Sequence, residues 1–152
     1  MVYWKPETVA FNLRGKNKLG HSASNQYRRI DVGDVLWIVS SRGFGYLLLI
    51  NRQKVGRLAT VDELSDEEAA RLWQSDYHAF ADSASPLICV DISDVAGRLR
   101  FEGTSDRLPD EFSGRNFQTM RKLDPKTIEL MESVWRERKR FGQRESHKPF
   151  LS

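Results

Sequence analysis

The chain has 152 residues and a mass of 17.6 kDa, enough for one domain built on one hydrophobic core. At 39% hydrophobic and 30% charged residues it excludes wholesale disorder, and no apolar run approaches the roughly 20 residues of a membrane span. A lone cysteine, Cys89, excludes an internal disulfide, and the opening MVYWKPET has no secretory apolar core, so a cytoplasmic location is expected.

The net charge of +3 conceals a segregation. Residues 1–60 hold ten Lys and Arg against three Asp and Glu, a net +7. Residues 61–112 hold four against thirteen, a net −9, and residues 113–152 hold ten against five, a net +5. Two basic ends around an acidic middle can form one positive face for phosphate, or can pair with the middle.

Along the chain, Val2-Tyr3-Trp4 reads as a short strand stopped by Pro6, with Trp4 at its end as core packing or a stacking surface. Residues 12–24, rich in Asn, Gly, Lys and Ser, read as a long loop. The stretch Gly20–Ser41 then joins polar side chains, the pair Arg28-Arg29, the turn Val32-Gly33-Asp34 and an apolar strand, Val35–Val39, centred on Trp37. Tyr46–Asn51 pairs with that strand across Ser-Ser-Arg-Gly-Phe-Gly, and both runs are apolar enough to be buried on two faces. Phe44, at the hairpin tip, is an exposed aromatic or a lid. Arg52–Val61 reads as a third strand, set off by a kink at Gly56.

Ser65-Asp66-Glu67-Glu68 predicts a capped helix start, with Ala69, Leu72 and Trp73 facing the core. Tyr77–Asp82 reads as a turn or short helix, Leu87–Ile92 as a buried strand around Cys89, and Leu99–Glu102 as a half-exposed strand. Gly103–Gly114 is a loop. Asp124-Pro125 then opens a helix whose apolar stripe is Ile128, Met131, Val134 and Trp135. The expected domain spans residues 1–142, and residues 143–152 form a polar tail. This order predicts an α+β fold, a small mixed sheet with few helices.

For catalysis the sequence offers little. His21, His78 and His147 are far apart and share one cysteine, so no metal site is expected; no phosphate loop is present either. His21, Ser24 and Asp34 can be drawn as a triad, but such residues meet by chance in polar loops. No catalytic residue and no cofactor is predicted. What remains is a binding constellation. Asn and Ser side chains match base edges, an aromatic face stacks on a base, and arginines hold phosphates.

The run SNQYRRIDVGDVLWIV resembles the corresponding region of EVE-type domains in the PUA-like group, related to YTH, SRA and ASCH domains. GRNFQTMRKLDP, Gly114 to Pro125, resembles the closing segment of bacterial PUA-like modules. The resemblance implies a small curved β-barrel or sheet flanked by helices, with a pocket for a modified base in DNA or RNA, unpaired or flipped from the stack. Ser22, Ser24 and Asn25 would read the base edge, Trp37 and Ser40 would form wall and floor, and Trp4 a second aromatic surface. Arg28, Arg29, Arg42, Arg115 and Arg121 would hold flanking phosphates. No three-aromatic cage of the YTH kind is visible, which favours an edge-reading pocket. Related modules are fused to nucleases in restriction systems; here no nuclease motif is present, so cleavage would need a partner protein. Two rivals stand beside this reading. One is a small-molecule enzyme of the ASCH type, with Lys16, Lys18 and Glu7 as candidates; the other is a protein-interaction module without nucleic acid.

Overall fold

The computed structural model describes residues 1–15 and 18–145. Among these, six strands and four helices follow in the order β1 (Val2–Tyr3), α1 (Pro6–Gly15), β2 (Lys18–Ala23), β3 (Val35–Ser40), β4 (Leu48–Thr60), α2 (Asp66–Arg71), β5 (Tyr77–Pro86), β6 (Val90–Asp91), α3 (Ser93–Ala96) and α4 (Pro125–Glu145). The sheet is mixed and open, with strand order β1-β3-β4-β5-β2 and β6 added beside β4. The fold is α+β, as expected.

Strand β4 is the spine. Its first half pairs antiparallel with β3 and β6, and its second half with β5. The changeover falls at a register shift between Val55 and Arg57. Gly56 is required there, because a Cβ would lie 2.7 Å from the Asp82 Cα and 2.8 Å from its backbone nitrogen. Tyr46–Asn51 and Arg52–Val61, expected as two strands, are joined in one continuous strand, Leu48–Thr60, that bends at Gly56.

Alternation along β3 and β4 splits the core. Trp37, Val39, Leu47 and Leu49 point to one face, where Met131 and Val134 of α4 close over them with Leu99, Phe101 and Phe117. Leu36, Ile38, Leu48 and Ile50 point to the other, under Val9 and Leu13 of α1. A two-residue step turns every side chain to the same face, so continuous apolar runs serve both layers.

Several elements differ from the expectation. Pro6 does not merely stop β1; it takes the first position of α1, where its missing N–H costs nothing. The supposed loop at 12–24 is the end of α1 followed by β2, whose polar face hid its pairing with β5. Tyr77–Asp82 lies in β5, not in a turn or helix. The strand read over Leu87–Ile92 shrinks to Val90–Asp91, because Cys89 adopts φ 46°, which breaks an extended run. Leu99–Glu102 contributes only a bridge between Phe101 and Leu123.

Two helix starts follow the reading closely. The Ser65 hydroxyl accepts from Glu68 N–H, and Glu68 accepts from Ser65 N–H. Asp124 accepts from Thr127 N–H at 2.7 Å. Helix α4 continues past Gly142 through Glu145, so the tail boundary at 143 falls inside the helix; residues 146–152 lie outside the described residues.

Ion pairs join the basic ends to the acidic middle: Arg57 with Glu68, Lys54 with Asp82, Lys122 with Glu102 and Arg138 with Asp94. Arg28, Arg29, Arg42 and Arg115 are exposed.

Candidate functional site: an aromatic cavity beside a histidine pair

Where α1, β2 and the chain following α2 meet, a cavity of about 410 Å³ opens to solvent. Its size falls in the range of about 300–1,000 Å³ usual for ligand sites. Four aromatic side chains line it: Tyr3, Trp4, Phe11 and Trp73. Between them lie Thr8, Asn12, His21 and Ser22; Lys5 brings positive charge, and the Arg71 guanidinium is paired with Glu67 at 2.7 Å. Burial pushes the Tyr3 phenol above its ordinary pKa, so this wall stays neutral.

Each side chain is placed by its element. Trp4 follows β1, and its N–H donates to Val39 O at 2.8 Å, fixing the tryptophan at the edge of β3. Phe11 sits on the face of α1 opposite to Val9 and Leu13 and is 66% exposed. Trp73 follows the end of α2 and is 61% exposed, not in the core as its helical phase suggested. The helix ends at Arg71, before a third turn could carry Trp73 round to the sheet. Its ring meets Phe11 edge to face at 6.3 Å.

His21 reaches the same cavity from β2. Its Nε2 lies 2.9 Å from Nδ1 of His78, whose own Nε2 lies 2.9 Å from the Ser75 carbonyl oxygen. A carbonyl only accepts, so His78 Nε2 carries a proton, and a single hydrogen joins His78 Nδ1 to His21 Nε2. His78 is buried, and the His21 ring is packed between His78 and Phe80, with centroids 5.2 and 4.9 Å away. The chain Ser75–His78–His21 thus holds one imidazole rigidly at the cavity wall.

A second, small cavity of about 90 Å³ shares Tyr3, Trp4 and Ala23 with the first. Ser24 and Gln26 stand on one side of it, Phe117, Gln118 and Met120 on the other. Gln26 fastens the two sides together: its amide donates to Gln118 O at 2.9 Å and its Oε1 accepts from Met120 N–H. Gly114 packs directly on Tyr3, where a Cβ would lie 2.3 Å from the phenol oxygen.

The residues anticipated for a base pocket are distributed more widely than expected. Trp4, Ser22 and Ser24 line these two cavities. Ser22 is buried and committed, donating to Gln53 Oε1 at 2.8 Å and accepting from Tyr27 at 2.9 Å. Asn25 Oδ1 accepts from Ser75 Oγ and Asp76 N–H, so it ties the turn at Asn25–Arg29 to the start of β5. Ser40 is fully buried and lines neither cavity. Trp37 is 2% exposed and faces the opposite core, because it has the other parity on β3 from Leu36 and Ile38. Trp37 therefore does not share a cavity with Ser24 and Asn25. Arg121 lies with its guanidinium 3.8 Å from the Phe101 ring centre.

Of the candidates for a small-molecule enzyme, Lys18 and Glu7 are exposed and line neither cavity, and Lys16 lies outside the described residues. Among the described residues no cluster of His, Cys, Asp and Glu could hold a metal ion, and no helix is long and apolar enough to cross a membrane. Burial pushes the Cys89 thiol up to about 12, which keeps it protonated.

The sequence reading missed Phe11, Trp73 and the partnership of His21 with His78. An aromatic on the polar face of α1 was the available signal for Phe11. The other two depend on chain reversal between α2 and β5. Comparison with family models, with characterised proteins and with solved structures returns no match.

Proposed function

We propose that this chain is a non-catalytic nucleic-acid-binding module of the EVE-type, PUA-like kind, which receives an unpaired or flipped-out base in the aromatic cavity. One observation carries the reading: Trp4, Phe11 and Trp73 line one nucleobase-sized cavity beside an oriented His21. Aromatic faces stack on bases for about 1–3 kcal/mol each, and the imidazole and Asn12 can meet a polar base edge. Lys5 at this cavity, and the exposed Arg28, Arg29 and Arg115, supply the sign of charge that phosphates need. A modified base remains the favoured ligand of this reading, and any cleavage would fall to a separate effector protein.

The experiment is a binding panel. Single- and double-stranded DNA and RNA oligonucleotides with methylated, hydroxymethylated and unmodified bases are titrated at two salt concentrations, with tryptophan fluorescence as readout. Salt-sensitive binding that quenches tryptophan emission and is weakened by Trp73→Ala supports the reading. Modification-independent affinity reduces it to a general nucleic-acid module, and no binding to any probe overturns it.

A further inference from the structure

Beyond the aromatic end lies a third cavity of about 490 Å³, on the far side of Met120. Met120 is a wall of both this cavity and the small one, and the small one shares Tyr3 and Trp4 with the aromatic cavity. The three hollows are therefore linked by shared walls, and the turn Asn25–Arg29 borders the middle one through Gln26 and the third through Arg29.

The third hollow differs in chemistry from the first. Arg29, Arg121 and Lys122 line it against one carboxylate, Asp34, and its apolar part includes Leu36 and Ile128. Ile128 is 40% exposed although it lies on the stripe that should face the sheet. Arg29 is exposed, and the Lys122 side chain is 76% exposed even while pairing with Glu102 at 2.9 Å. Such a surface pair is worth little, so Lys122 can turn to an anion at small cost. Positive charge beside an apolar patch matches the alternation of phosphate and base along an unpaired strand.

We infer that the third hollow is a second subsite for the same nucleic-acid strand: one base occupies the aromatic cavity, and the strand crosses the Gln26–Met120 saddle so that a neighbouring phosphate and base lie on Arg29, Lys122 and Ile128. This rests on the base-binding reading above. The ligand class is then a single strand of several nucleotides, not a nucleoside or mononucleotide.

The test is length dependence, read by tryptophan quenching and by anisotropy of labelled oligonucleotides. The probes are a nucleoside, its 5′-monophosphate and single strands of two, three, five and eight nucleotides carrying the base that binds best. Affinity is expected to rise with length and then level off. An Arg29→Ala, Lys122→Ala double variant should lose roughly tenfold or more for the five-mer and lower the salt slope by about 1.4, the value for two single-strand phosphate contacts. It should leave nucleoside quenching unchanged. Both residues are exposed, and circular dichroism with a thermal melt confirms that the variant folds. Nucleoside binding without any gain in length overturns the second subsite and leaves the aromatic cavity standing; equal losses for nucleoside and five-mer, with Trp37 of the third hollow as the quenched ring, put the base in that hollow and overturn both. Absence of quenching by every probe overturns both.

Discussion

His78 Nδ1 and His21 Nε2 share a hydrogen bond at 2.9 Å, while the His78 Nε2–H is donated to the Ser75 carbonyl. A buried imidazole here is a positioning device. Replacing it by an apolar residue of similar size should remove one of the contacts that orient the His21 ring and take the donor from the Ser75 carbonyl. His78→Leu is expected to cost about 2–3 kcal/mol in urea unfolding, since each unsatisfied buried group costs about 1–3 kcal/mol. The His21 ring signals in an NMR spectrum should broaden or shift in the same variant.

The four tryptophans divide by role, and three of them make the division measurable. Trp37→Ala removes a core ring packed under α4 and should cost about 3–5 kcal/mol of stability. Trp73→Ala removes a 61% exposed ring and should change stability by no more than about 0.5 kcal/mol. If the cavity takes a base, Trp73→Ala and Trp4→Ala should each weaken that binding by about 1–3 kcal/mol. Chemical denaturation and fluorescence titration on the same three variants separate the effects. A large stability loss in Trp73→Ala would contradict its exposed placement.

Gly56 and Gly114 are both pressed against neighbours, but unequally. At Gly56 the obstacle is the Asp82 backbone, which is held in β5 and cannot step aside. At Gly114 it is the Tyr3 ring, which is stacked on Phe117 at 6.2 Å. Gly56→Ala is expected to destabilise by about 1–3 kcal/mol or more, in the range of overpacked sites. Gly114→Ala should cost less and displace Tyr3 at the cavity wall. Thermal melts rank the two, and a base-binding titration detects the second.

Stability should decline in alkali. Tyr27 is buried, which pushes its phenol up to about 12 from an ordinary 10.0; burial likewise pushes Cys89 up to about 12 from 9.0. Both are neutral acids in the fold, so the unfolded chain gives up these protons first. Their contribution is complete below about pH 9 and is lost as pH rises toward 12. Urea midpoints at pH 8, 9.5 and 10.5 should fall in that order. Tyr27→Phe should flatten the upper part of the decline, although it also removes the hydroxyl that Ser22 accepts from.

The legible parts of this chain were those that local physics governs. The capping boxes at Ser65 and the Asp124-Pro125 start satisfy their own backbone groups within one turn, so their residues name them wherever they occur. The β3–β4 hairpin declares itself because Gly43 and Gly45 both adopt positive φ between two apolar runs. Parts governed by pairing were not legible. Strands β2 and β5 carry His21, Ser22, His78 and Ser85, polar groups whose hydrogen bonds include one between the two histidines and others to Gln53 and Asn51 on β4. Taken singly, such residues look like loop.

The sequence by itself determined an α+β chain with a doubly buried hairpin, two capped helices and basic ends around an acidic middle. These follow from periodicity and from bonds closed over three or four residues, which need no distant partner. Only the tertiary structure decided which aromatics share a cavity. Trp37 and Ser24 are near in sequence, yet strand parity sends Trp37 to the core of α4 and leaves Ser24 on the other side with Trp4. Phe11 and Trp73 are far apart in sequence, yet α2 ends at Arg71 and leaves Trp73 edge to face with Phe11. A side chain's direction on a strand alternates with each residue, and its neighbours across the fold depend on where other elements stop.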